Sequence, residues 1–124
     1  MNSDIIRLSV PAKPDYILAV RLVVSAVAER VGFDIEDIED LKVASAEACT
    51  MLLAAEPESI ELCVTVNNGL FLKFVAAGKA AGVAADREAN GELSQYLLDA
   101  LVDECDFISG GGAVSAVTLN KRLP

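Results

Sequence analysis

The sequence predicts an α/β fold: a two-layer sandwich in which three helices share one face of a mixed five-stranded sheet, in the order β-α-α-β-β-α-β-β. Three observations carry this. "DIIRLSV" alternates apolar and polar residues, apolar residues recur at helical spacing between Pro14 and Ala55, and "SIELCVTV" and "LFLKFVAA" are β-rich runs around an Asn-Gly turn. No internal repeat and no linker interrupts the order, so a single domain over 1–124 is expected.

In the first strand Ile6, Leu8 and Val10 share the inward face. Lys13-Pro14-Asp15 opens a helix, because proline fits a first turn whose N–H would lack a partner and an aspartate suits the positive end of the helix dipole. That helix runs to about Val31, where Gly32 supplies a left-handed stop. Arg21, Ser25 and Glu29 form a narrow polar stripe, while Ile17, Val20, Val23, Val24, Val27 and Val31 cover most of the remainder. So much apolar surface suits either a deeply packed helix or one that also carries a subunit or partner interface.

Asp34 is a good N-cap for the second helix, and the acids at 36, 37, 39 and 40 read as first-turn and solvated residues rather than as a metal cluster. Ile38, Leu41, Ser45, Ala48 and Leu52 continue one stripe to about Ala55. The hairpin turns at Asn67-Asn68-Gly69. "GKAAGVAADREANG" lacks periodicity and reads as a loop, and "ELSQYLLDALVDEC" places Leu93, Tyr96, Leu97, Ala100 and Leu101 at helical spacing. A second hairpin around Gly110-Gly111-Gly112 ends the chain.

Composition excludes several classes. A net charge of -9, with ten basic residues scattered, disfavours nucleic acid and leaves a protein or cationic partner. No apolar run reaches the roughly 20 residues that span a bilayer and the N-terminus does not resemble a secretion signal, so a cytoplasmic protein is expected. Cys49, Cys63 and Cys105 are widely spaced and read as buried reduced thiols. With no histidine, Ser-His and Cys-His machinery is absent, and acid-base work would fall to a carboxylate, Lys or Tyr. Neither glycine cluster has P-loop spacing.

The stretch "VPAKPDYILAVRLVVSAVAERVGFDIEDIEDLKVASAEACT" closely resembles the opening half of the anti-sigma factor serine kinases, bacterial partner-switching proteins of the GHKL ATPase superfamily. The resemblance is dense from about Val10 to Thr50 and continues more weakly to the C-terminus. It implies a GHKL, or Bergerat-like, fold that uses ATP and Mg²⁺, a homodimer, and transcription regulation through a sigma factor and a STAS-domain anti-anti-sigma protein. In the family a glutamate and an asparagine four residues apart serve the attacking serine hydroxyl and the metal. Glu47 matches that glutamate, and Met51 stands in place of the asparagine. Without the resemblance, Glu47 is a glutamate at a helix surface.

Two further motifs depart from the family. Its Asp-x-Gly, whose aspartate recognises adenine, aligns with Ala76, Ala77 and Gly78; its Gly-x-Gly-Leu, which cradles phosphate, aligns with Glu92, Leu93, Ser94 and Gln95. A thioether is a poor ligand for a hard oxygen-seeking ion, and a carboxylate at Glu92 would repel a triphosphate. The expectation is therefore a degenerate member that uses no cofactor or metal and has no catalytic activity, Glu47 being vestigial. Met51, Ala76, Gly78, Glu92 and Ser94 are then vestigial nucleotide-site positions. Arg21 matches a first-helix arginine that contacts the family's partners, and is expected to bind partner here. The alternatives are an active serine/threonine kinase with an unorthodox ATP site, or a dimeric scaffold with unrelated partners.

Overall fold

A computed structural model describes residues 3–78, 87–110 and 113–124, the side chains of 87–92, 110 and 113 excepted. The elements follow the expected order: β1 (Asp4–Pro11), a short 3-10 turn at Pro14–Tyr16, α1 (Ile17–Val31), α2 (Ile35–Leu53), β2 (Ser59–Val66), β3 (Gly69–Ala77), α3 (Arg87–Leu101), β4 (Glu104–Gly110) and β5 (Ala113–Arg122). The boundaries fall where local chemistry places them. Gly32 is left-handed at φ 111° and donates its N–H to the carbonyls of Ala28 and Glu29. Asp34 Oδ1 accepts the Asp37 N–H at 2.8 Å, so the acids opening α2 begin with a working cap. Asn68 and Gly69 take the positive φ values that the hairpin needs.

The α/β class and the five strands are as expected. The sheet runs β1-β2-β3-β5-β4, and every one of its pairings is antiparallel, so the expected mixed strand directions are corrected. The reason lies in the connections. Two helices, one out and one back, return the chain from β1 antiparallel to β2, whereas the single helix α3 makes β4 parallel to β3. β5 then inserts between that parallel pair and is antiparallel to both. The predicted last hairpin forms between β4 and β5, its residues 111–112 lying outside the described ones.

The core lies between the sheet and the helices. Val20, Val24 and Ala28 of α1 and Leu41, Ala48 and Leu52 of α2 meet Leu62, Val64, Leu72, Phe74, Val117 and Leu119 of the sheet. Alternation puts Ile5, Arg7 and Ser9 of β1 on the opposite, open face. The Ala12 N–H bonds Glu58 O at 3.1 Å, which fixes the phase of the β1–β2 ladder: even residues of β1 turn their amides to β2, and odd ones turn theirs outward.

Two expectations about helices are also corrected. On α1, Arg21 and Ser25 are half-buried, while Leu18 and Leu22 stand 60% and 58% exposed. The third helix begins at Arg87, so the end of the predicted loop is helical; Arg, Glu and Ala there form helix readily and absorb the cost of about 1 kcal/mol for Gly91. The remainder of that loop, 79–86, lies outside the described residues.

Candidate functional site

The helix α2 carries Glu47 and Met51 one turn apart, with α3 packed along it in the opposite direction. Across that contact Ser94 Oγ donates to Glu47 Oε2 at 2.5 Å. Ser94 is 7% exposed and Glu47 half-buried, so water competes little for this bond. A hydrogen bond to a charged group contributes about 1.5–3 kcal/mol. The glutamate singled out from the sequence is therefore already engaged, by a residue singled out for a different reason.

Met51 and Ala76 are half-buried at the margin of the core, packed against it as ordinary apolar side chains. Gly78 follows β3 at φ +91°, and a Cβ there would come within 2.6–2.7 Å of the Glu58 side chain. Both the dihedral and the crowding require glycine, which gives Gly78 a structural reason to be there. The side chain of Glu92 lies outside the described residues, and the repulsion expected from it belongs to the sequence reading alone. The structure thus joins Glu47 to Ser94 directly, while Arg21 belongs to α1.

Arg21 has a feature that its spacing does not predict. Among the described residues, its Nε is buried without a hydrogen-bond partner, and so is the hydroxyl of Ser45, which is itself fully buried. Arg21 lies eleven residues before Gly32 and Ser45 eleven after Asp34, so both stand at the same height on the antiparallel pair α1–α2. An orphaned guanidinium nitrogen of this kind is costly until a partner satisfies it. Leu18 and Leu22 flank it on the outer side of α1. Their spacing of four is visible in the sequence but is masked there by the polar stripe.

At the far end of the α2–α3 pair, Lys121 is 11% exposed and donates to Leu101 O at 2.6 Å, with Asp37 and Asp40 at 3.5 and 3.8 Å. It caps the last turn of α3 and neutralises the first turns of α2. The cysteines are free thiols. Burial pushes Cys49 up to about 12; burial, followed by the hydrogen bond to Asp99, pushes Cys105 up to about 12. Cys49 is buried as expected, but Cys63 and Cys105 are only partly so.

A sheet layered on one face by helices in this order is the architecture of the histidine kinase-like ATPase domain, and that family's profile matches residues 10–121. The serine-protein kinase RsbW of Bacillus pumilus (strain SAFR-032) is 31% identical over 96% of this chain and 88% of that protein. RsbW of Bacillus subtilis (strain 168) is 31% identical over 94% of this chain and 86% of its own length. A shorter stretch of 49 residues, 40% of this chain and 31% of the relative, is 57% identical to RsbW of Oceanobacillus iheyensis. The chain belongs to the histidine kinase-like ATPase family, among the anti-sigma factor serine kinases typified by RsbW. The alignment to the Bacillus pumilus kinase runs over 144 positions against 124 residues here, so this chain lacks at least 20 positions (144 − 124) of that alignment.

Proposed function

We propose that this protein is a partner-switching regulator that binds a sigma factor or a STAS-type anti-anti-sigma protein without using ATP. The observation that carries the reading is the Ser94–Glu47 bond. The carboxylate at the family's catalytic position is committed to a hydroxyl of its own chain, at a position where the family presents a glycine-rich phosphate cradle.

The residues present do not fit Mg-ATP. Met51 offers a thioether packed against the core where an oxygen ligand is required, and Ala76 has no group to recognise adenine. Charged hydrogen bonds of about 1.5–3 kcal/mol each, at about 1.4 kcal/mol per tenfold, convert two lost contacts into a hundredfold or more in affinity. No catalytic step is therefore assigned to Glu47.

Partner binding falls to α1 in this reading. Arg21, half-buried on α1, offers the exposed part of its guanidinium to a partner's carboxylate, and Leu18 and Leu22 offer apolar anchors beside it. A homodimer is also part of this reading, as the family resemblance implies. Relatives named serine-protein kinases favour a second reading, an active kinase, and Glu47 is the residue it would retain.

Calorimetry separates the two. The regulator reading expects no heat with Mg-ATP at physiological concentration and a measurable affinity for the cognate sigma factor or STAS protein that falls at least tenfold in Arg21→Ala. A low-micromolar Mg-ATP affinity abolished by Glu47→Ala would establish the kinase instead.

A further inference from the structure

The carbonyl of Asn68 accepts the N–H of Leu123 at 3.1 Å, and the two residues stand directly opposite each other when the β3–β5 register is carried one step beyond Gly69 and Arg122. That bond fixes the phase of the ladder: odd residues of β5 turn their N–H and C=O groups to β3, and even ones turn theirs to β4. Opposite Asn120, Thr118 and Ala116 stand Glu104, Asp106 and Ile108. The even residues of β4 are therefore committed to β5, and the N–H and C=O groups of Cys105 and Phe107 point away from the sheet. β4 is the last strand in the order, and among the described residues nothing bonds to these outward groups.

Such an edge is a template for one more strand, and its side chains select which. On the open face Glu104, Asp106 and Ile108 are all exposed. Glu104 is drawn inward by Asn120 Nδ2 at 2.8 Å, whereas among the described residues no cation stands beside Asp106. Asp99, which accepts from the Cys105 thiol, adds a carboxylate on the helix side. We propose that the β4 edge takes up an extended segment of a partner protein, basic on alternate residues, as a further strand beside Cys105 and Phe107. Backbone bonds hold the segment, and a lysine or arginine across from Asp106 selects it. A second copy fits poorly. Two β4 edges paired antiparallel about Asp106 set that carboxylate against its own copy, and pairing about Cys105 sets Glu104 against Asp106. Pairing about Phe107 has to run through the bulge between Ile108 and Ser109, and a net charge of -9 opposes every register. The inference rests on the sheet alone and holds whether or not the protein uses ATP or meets a partner through α1.

Amide hydrogen exchange followed by ¹⁵N NMR tests this, with a capped peptide of alternating lysine and valine as the probe and its glutamate-for-lysine counterpart as the control. In dilute free protein the amides of Cys105 and Phe107 exchange about tenfold or more faster than that of Asp106, which bonds to β5. The lysine peptide at millimolar concentration slows both by about tenfold and leaves Ser9 on the β1 edge unchanged. The glutamate peptide slows neither, and Asp106→Lys, a change at an exposed side chain, reverses the preference between the two peptides. Slow exchange of Cys105 and Phe107 in dilute free protein overturns the inference, because the chain itself then covers the edge. So does equal slowing by both peptides, slowing by neither, or equal slowing at Ser9. Slowing that rises with protein concentration alone assigns the edge to a second copy and overturns it as well.

Discussion

The two ends of the α2–α3 pair are fastened differently. At one end Lys121, 11% exposed, reaches a helix-terminal carbonyl and two aspartates; at the other a single bond joins Ser94 to Glu47. The first contact is redundant, since losing any one acceptor leaves others for the same ammonium. Among the described residues the second has no spare. Beneath both, Leu98 in α3 and Val102 just past its end supply buried apolar surface. The lesson is that a helix can be fastened redundantly at one terminus and by one bond at the other, and here the single bond joins Glu47 and Ser94, two positions that the sequence reading assigned to the family's nucleotide site.

Mutations grade that contrast. Lys121→Ala should have the largest effect, about 3 kcal/mol of stability, because it leaves a helix carbonyl and two carboxylates without their cation. Thermal unfolding followed by circular dichroism should fall by roughly 4 °C per kcal/mol lost. Ser94→Ala should cost about 2 kcal/mol or less, and the comparison is sharpened by amide exchange. Residues 93–98 should gain exchange in Ser94→Ala, whereas Lys121→Ala should raise it at 98–102. Equal exchange changes at both ends in each variant would erase the asymmetry.

Alkaline pH probes both ends together. The Cys49 thiol is held neutral up to about 12 from an ordinary value of 9.0, so the fold binds its proton more tightly than the unfolded chain does. The resulting stability is fully present below about pH 9 and is lost as pH rises from 9 toward 12, by at most about 1.4 kcal/mol per unit for this group. Cys105, bonded through Sγ to Asp99 near the Lys121 end, adds in the same direction but less, being only partly buried. Denaturant midpoints measured across the alkaline range should decline over this window, and Cys49→Ala should flatten part of the decline. Smallest of all, Glu104→Gln on the outer strand should change stability by no more than about 0.5 kcal/mol, because its pair with Arg122 is exposed on both sides.

Much of this fold was legible because its boundaries are written in local chemistry. Gly32, Asp34 and the Asn67-Asn68-Gly69 turn each act within a few residues of themselves, and a linear reading finds them. The faces of α1 and α3 were not legible for the opposite reason. The Leu93-Tyr96-Leu97 stripe has an ordinary inward pattern, yet the row that faces α2 is Ser94 and Leu98, and the acceptor that Ser94 meets there is distant in sequence. The polar spacing of Arg21, Ser25 and Glu29 likewise says nothing of Ser45 on the neighbouring helix. At the candidate site, Glu47, Met51, Ala76 and Ser94 stand out through family likeness. Their physical states, two packed against the core and two bonded to each other, needed coordinates. The strand directions also depended on long-range order, since β5 enters between two strands that precede it in the chain.

The outward amides of β1 have a consequence for how the molecule can grow. Among the odd positions that face away from β2, Pro11 has no N–H to give, and Arg7 sets a guanidinium at the middle of the strand. Two such edges brought together antiparallel about the middle of the strand would place Arg7 against Arg7 and leave a gap in the ladder at Pro11. The sheet is in this sense closed to growth at its β1 edge. Backbone pairing with a second copy is disfavoured along this edge, and concentrated protein is spared one common route to fibrils.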